Sequence, residues 1–144
     1  MSDIELVIEV SEDAAEHDQI RGFVLEKLRA FNRQRAEPPD FQTLSLAVRD
    51  DEELVGGLVG ETGWKWLFVD LLWIAETHRG RGLGARLLRT AEGEAIRRGV
   101  RRAYLDTFDF QARPFYERQG YEVFGTLDDY PPGHSRFFLR KDLV

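Results

Sequence analysis

The chain has 144 residues, 42% hydrophobic and 32% charged, with a formal net charge of −6, enough to bury one core without metals or disulfides. It lacks cysteine, which excludes disulfides, thiolate nucleophiles and thiolate metal sites, and the scattered His17, His78 and His134 show no metal-ligand spacing. The acidic balance argues against nucleic acid as a partner, and no apolar run reaches the roughly 18 residues that span a bilayer, so a single metal-free cytoplasmic domain (1–144) with no leader segment and no membrane partner is expected.

LVIEV (6–10) alternates well enough to predict an opening strand, and Ile20, Phe23, Val24, Lys27, Leu28 and Phe31 recur at helical spacing over 14–33, until EPPD (37–40) ends the run. Three strands follow, 43–50, 53–62 and 65–75, joined by turns at DDE and TG and so antiparallel. Gly56 and Gly57 within the second imply either a bulge or a close approach by another group. From Gly82 the period is helical again through Leu83, Leu87, Leu88, Ala91, Ala95 and Ile96, ending near Gly99. The strand at 101–108 then pairs in parallel with 65–75, because a strand–helix–strand crossover returns to the same sheet. A short helix over 111–120, with Pro114 in its first turn, and a hairpin of 121–130 and 134–143 around PPG complete a mixed α/β fold.

Arginine is unevenly spread. Residues 78–102 hold eight arginines and two glutamates, a net +6, so the remainder carries −12. Within this island THRGRGLGARLL (77–88) lies between a strand and a helix, where unpaired amides and the peptide dipoles attract an anion. Glycines 80, 82 and 84 let a phosphate approach those amides while Arg79 and Arg81 add donors, with Arg86 within reach on the first helical turn. A glycine turn chosen for its backbone angles is the alternative. No GKS or GKT follows, which rules out the nucleotide-triphosphate loop. Arg97, Arg98, Arg101 and Arg102 lie on the order of 20 Å away along the helix, and compensation of its carboxyl end suits them better.

Arg79-Gly80-Arg81-Gly82-Leu83-Gly84 resembles the pyrophosphate motif Q/R-x-x-G-x-G/A of the GNAT superfamily of acyl-CoA-dependent N-acetyltransferases. The order of elements around it and the segment LDTFDFQARPFYERQGYEVFG extend the resemblance over 43–144, while the amino-terminal third agrees in element order alone. The resemblance implies a central, mostly antiparallel sheet in which strand 65–75 splays from 101–107 and acetyl-CoA enters the gap as acyl donor. Leu72, Trp73 and Ile74 would pair with its pantetheine arm, and residues 79–84, with Ala85 and Phe115 beside them, would hold the rest. Tyr116, in Phe115-Tyr116-Glu117-Arg118-Gln119-Gly120-Tyr121, falls on the position of the usual general acid; an aromatic anchor for a short helix is the plainer role. Asp109 stands where the family often has Asn as a cofactor contact, and a carboxylate cannot donate as an amide does.

Asp70 shares strand parity with Leu72 and Ile74, which would place it in the cleft on an apolar strand as the base that accepts the amine's proton. An edge charge facing water is the alternative, as are Glu76 or a water chain. Acids at Asp50, Asp51, Glu52, Glu53, Asp128 and Asp129, beside Tyr130 and His134, would favour a cationic amine acceptor. The reading is an N-acetyltransferase acting on a primary amine of a small molecule or peptide. A CoA-binding sensor without turnover is the rival, and the resemblance allows a homodimer.

Overall fold

The computed structural model describes residues 5–144. By its contacts the chain forms two compact units, one ending at Pro38 and one running from Pro39. In the first, helix α1 (Ala14–Arg33) starts where the Asp13 carboxylate accepts the Glu16 amide at 3.0 Å, a side-chain cap for an otherwise orphaned donor. Its apolar positions Ile20, Phe23, Val24, Leu28 and Phe31 are all exposed. The strand expected at 6–10 is not formed, and Leu6, Val7, Ile8 and Val10 stand exposed. Five alternating residues supply a face, but a strand exists only through a neighbour's backbone groups.

The second unit is a six-stranded sheet in the order β1-β2-β3-β4-β6-β5. Its strands are β1 (Gln42–Asp50), β2 (Glu53–Gly63), β3 (Trp66–Ile74), β4 (Arg102–Phe108), β5 (Glu122–Asp128) and β6 (Ser135–Asp142). All neighbours are antiparallel except β3 and β4. Helix α2 (Leu83–Arg97) crosses between that parallel pair, and α3 (Arg113–Arg118) connects β4 to β5. The core lies where Leu87, Leu88, Ala91 and Ala95 of α2 meet Leu58, Leu67, Val69, Ala103, Leu105 and Leu139 of the sheet. No described helix is long and apolar enough to cross a membrane.

Gly56 and Gly57 satisfy both alternatives. Val55 is the extra residue of a bulge against β1; an added Cβ would lie 2.8 Å from Ile74 Cδ1 at Gly56 and 2.8 Å from the Leu46 carbonyl oxygen at Gly57. The strands approach too closely there for a side chain.

The arginines at the end of α2 are structural. Arg97 and Arg98 both pair with Glu94, and Arg97 foremost holds that carboxyl down to about 2. Arg98 also donates to the Thr43 carbonyl and Thr62 Oγ1, both at 3.1 Å, so it ties the helix to β1 and β2 as well as offsetting the dipole.

Candidate active site

The parallel pairing of β3 with β4 runs only from Trp66↔Arg102 to Val69↔Leu105. At the next residue β3 bulges. Val59 and Gly60 of β2 face Leu71 and Val69, leaving Asp70 as the surplus residue. Beyond it β3 and β4 diverge, and the backbone edge of β3 that faces β4 has no strand partner among the described residues. The opening is a cleft of about 910 Å³, within the size range of small-molecule sites.

The cleft is walled by β3 from Asp70 to Ile74, by the turn and first residues of α2, and by Phe115 and Tyr116 of α3. The turn fits an anion. Gly80 and Gly82 have φ of 79° and 74°, the left-handed region that disfavours side chains, and an added Cβ on either would meet nothing within 4 Å. Gly82 begins α2 without a side-chain cap, and its first turn holds no acid, so the leading amides keep their donors for another acceptor. Gly84 differs: its Cβ would touch Phe115 at 3.3 Å, so it permits close packing of α2 on α3.

Of the residues expected at the site, Asp70, Leu72, Trp73, Ile74, Arg79, Gly80, Gly82, Leu83, Gly84, Ala85, Phe115 and Tyr116 line this one cleft. Arg79 also donates from Nε to the Ile74 carbonyl at 2.9 Å, which fixes the turn against the end of β3. Three expectations need correction. Arg81 and Arg86 are exposed and do not line the cleft. Asp109 faces the β5–β6 turn, where it accepts the Ser135 amide at 2.9 Å and pairs with His134 Nδ1 at 2.8 Å. Partial burial opposes its charge, but the Ser135 amide and His134 outweigh that and hold the carboxyl below its usual range. Asp70 does border the cleft, yet it is exposed and unpaired in the bulge, so neither shared parity nor burial applies to it.

Sequence reasoning overlooked His78, Asp106, Thr107 and Gln111, which also border the cleft. His78 is hydrogen-bonded to Asp50 and to Thr77 Oγ1, both at 2.8 Å, and so anchors the glycine turn to the β1–β2 turn. Gln111 Oε1 accepts from the Phe108 amide at 2.9 Å and from Thr107 Oγ1 at 3.2 Å, closing the loop after β4. Asp106 is paired with Arg136 at 2.9 Å. A signal existed for Asp106, which alternates with the inward-facing Leu105 and Thr107, and for His78, next to Arg79; none existed for Gln111.

The profile of the acetyltransferase (GNAT) family matches residues 8–121. The chain belongs to the GNAT acetyltransferase family. The match reaches well into the amino-terminal third, beyond the 43–144 expected from the motifs. This GNAT chain is 48% identical over 100 residues to the blasticidin-S acetyltransferase of Streptomyces morookaense, covering 69% of this chain and 74% of that one. It is 40% identical over 119 residues to the acetyltransferase Atu2258 of Agrobacterium fabrum, covering 82% and 87%. The crystal structure of an acetyltransferase from Bacillus cereus aligns with a TM-score of 0.82 at 32% identity, covering 95% of this chain and 97% of the other. The protein is thus an acetyltransferase with the mixed, splayed sheet of GNAT structures.

Within this cleft Tyr116 is 8% exposed, and burial first, then the Asp106 charge, push its phenol up to about 12. Tyr121 is raised further by burial and by Glu92. An unfolded phenol titrates near 10, so the folded state holds these protons more tightly. That stabilisation is complete below about pH 10 and is lost as pH rises from there, for Tyr116 through 12 and for Tyr121 further up. Urea unfolding at pH 11 is therefore expected to yield a stability roughly 2 kcal/mol lower than at pH 8; equal values would contradict the burial argument.

Proposed function

We propose that the protein transfers an acetyl group from acetyl-CoA to a primary amine of a small molecule, by direct attack of the amine on the thioester. The observation that carries this reading is the convergence on one cleft of the unpaired β3 edge, the open glycine turn and Tyr116. The residues present suit acetyl-CoA: main-chain groups of Leu72 and Ile74, on the edge turned away from β2, are available to an amide-bearing arm, and the amides of 80–85 with Arg79 offer donors to a pyrophosphate. When bound, acetyl-CoA supplies an acyl group already activated as a thioester.

The protein's task is then positioning and proton management. The amine nitrogen forms the new N–C bond as the C–S bond breaks. The amine's proton passes to water in the cleft, and Tyr116 donates its proton to the departing sulfur. A phenol raised to about 12 stays protonated throughout the neutral range, so the acid is always loaded. Asp70 on the wall attracts the ammonium form of the acceptor before it sheds its proton. The relative named for blasticidin-S supports a small-molecule acceptor over a peptide.

Release of free CoA thiol from acetyl-CoA across a panel of amines tests the reading, and cationic amines are expected to be preferred. CoA binding without turnover on any amine would favour a sensor instead. The cofactor assignment has its own test. Arg79→Ala combined with Gly82→Ala forces a left-handed alanine into the turn and removes its arginine, so acetyl-CoA affinity measured by calorimetry is expected to drop about tenfold or more. Unchanged affinity would remove the pyrophosphate from this turn.

A further inference from the structure

A second cavity of about 450 Å³ lies beside the cleft, walled by Phe108, Phe110, Tyr130, Pro131 and Pro132 with Asp129 at its rim. Phe110 borders both spaces. Its aromatic walls are aligned. The Phe108 and Phe110 rings are stacked at 5.2 Å and 2°, and Phe108 and Tyr130 at 6.0 Å and 17°. Phe110 and Tyr130 nonetheless remain 57% and 47% exposed, a costly display of apolar surface unless something covers it.

Polar groups beside the rings hold them in place. His134, fixed by Asp109, sets its edge on Phe110 at 4.9 Å. Arg136, fixed by Asp106, lies over Phe108 at 5.7 Å and Tyr130 at 5.0 Å. The carboxylate of Asp109, expected at the cofactor, thus braces this wall instead. The walls are three aromatic rings and the two prolines, and the rim residue Asp129, beside Asp128, is acidic. Rings of this kind pack favourably on another π-system, offset-stacked or edge-to-face, and the carboxylates suit a cation.

We propose that this cavity is the acceptor subsite and that it takes a flat aromatic or heteroaromatic ring joined to a cationic primary amine. A ring seated against Phe110 and Tyr130 shares a wall with the cleft, so a short tether brings its amine to the space that Tyr116 borders. The inference rests on the acetyltransferase reading and narrows its acceptor to ring-bearing amines.

A matched pair of amines tests it: 2-phenylethylamine and 2-cyclohexylethylamine, alike in size and charge and different in flatness. With the full-length protein, kcat/KM by thiol release is expected to favour the aromatic amine roughly three- to tenfold. Tyr130→Leu and, separately, Phe110→Leu should abolish the preference, Tyr130→Leu while keeping its affinity for acetyl-CoA. Equal kcat/KM for the two amines in the parent protein would overturn the subsite. If no amine is acetylated, the proposed function fails, and saturation-transfer NMR with 2-phenylethylamine alone still decides the subsite. Ring-proton contact that is lost in Tyr130→Leu supports it, and absence of contact overturns it. A dimer that dissociates on Tyr130→Leu, with no aromatic preference, would assign the cavity to a second copy of the chain and overturn the proposal.

Discussion

Tyr116→Phe is expected to lower kcat on the order of a hundredfold, the lower end of what a positioned general acid contributes, while acetyl-CoA affinity stays within about twofold. The substitution removes one oxygen and keeps the ring, whose packing against Phe115 at 5.0 Å and Tyr121 at 6.1 Å does not depend on the hydroxyl. Any loss is therefore chemical in origin. Single-turnover rates on a cationic amine, set beside calorimetric binding of acetyl-CoA, separate the two quantities. A rate equal to the parent's would remove Tyr116 from proton transfer and leave it as the aromatic anchor of α3.

The second large effect concerns stability. Glu92 on α2 is 7% exposed and accepts the Tyr121 hydroxyl at 2.7 Å and the Lys141 ammonium at 3.0 and 3.1 Å. One carboxylate joins α2, the residue before β5, and β6. Glu92→Ala leaves a sheltered ammonium and a buried hydroxyl without their acceptor, and breaking a buried pair costs about 3–5 kcal/mol. The Lys141 side chain is 25% exposed and can recover part of its hydration, which puts the expected loss near 3 kcal/mol, a large share of the roughly 5–15 kcal/mol that holds a typical domain together. A shift of the urea midpoint at unchanged slope would report it. Glu92→Gln, which retains an acceptor, should lie between the parent and Glu92→Ala; a Glu92→Ala protein as stable as the parent would show that the triad contributes nothing.

The sheet and its crossover were legible because their signals are local or combinatorial. The turns at DDE, TG and PPG set the antiparallel neighbours along the chain, the period from Leu83 to Ile96 set α2, and a strand–helix–strand order admits essentially one pairing, whereas the insertion of β6 between β4 and β5 had no local signal. The glycine turn was legible for the same reason, since Gly80 and Gly82 adopt the backbone angles that only their lack of a side chain makes easy. What escaped reading depends on counting across strands or on distant partners. Parity placed Asp70 with Leu72 and Ile74 because nothing in KWLFVDLLWIA announces a surplus residue; in the structure Leu67 and Val69 face the core before the bulge and Leu72 and Ile74 face it afterwards. Asp109 was read by its place in a segment, yet its partners His134 and Ser135 are about 25 residues away in sequence. LVIEV carried a pattern without a partner.

The bulge at Asp70 makes the cleft a matter of arithmetic between neighbouring strands. One residue too many on β3 ends its ladder with β4 and turns Leu72 and Ile74 back toward the core in the same step. A binding space created by such a mismatch depends on strand length as well as on the side chains along its walls. Its sensitive parameter is chain length: an insertion or deletion between Val69 and Leu71 would reverse the facing of every later residue on that strand, and with it the wall of the cleft.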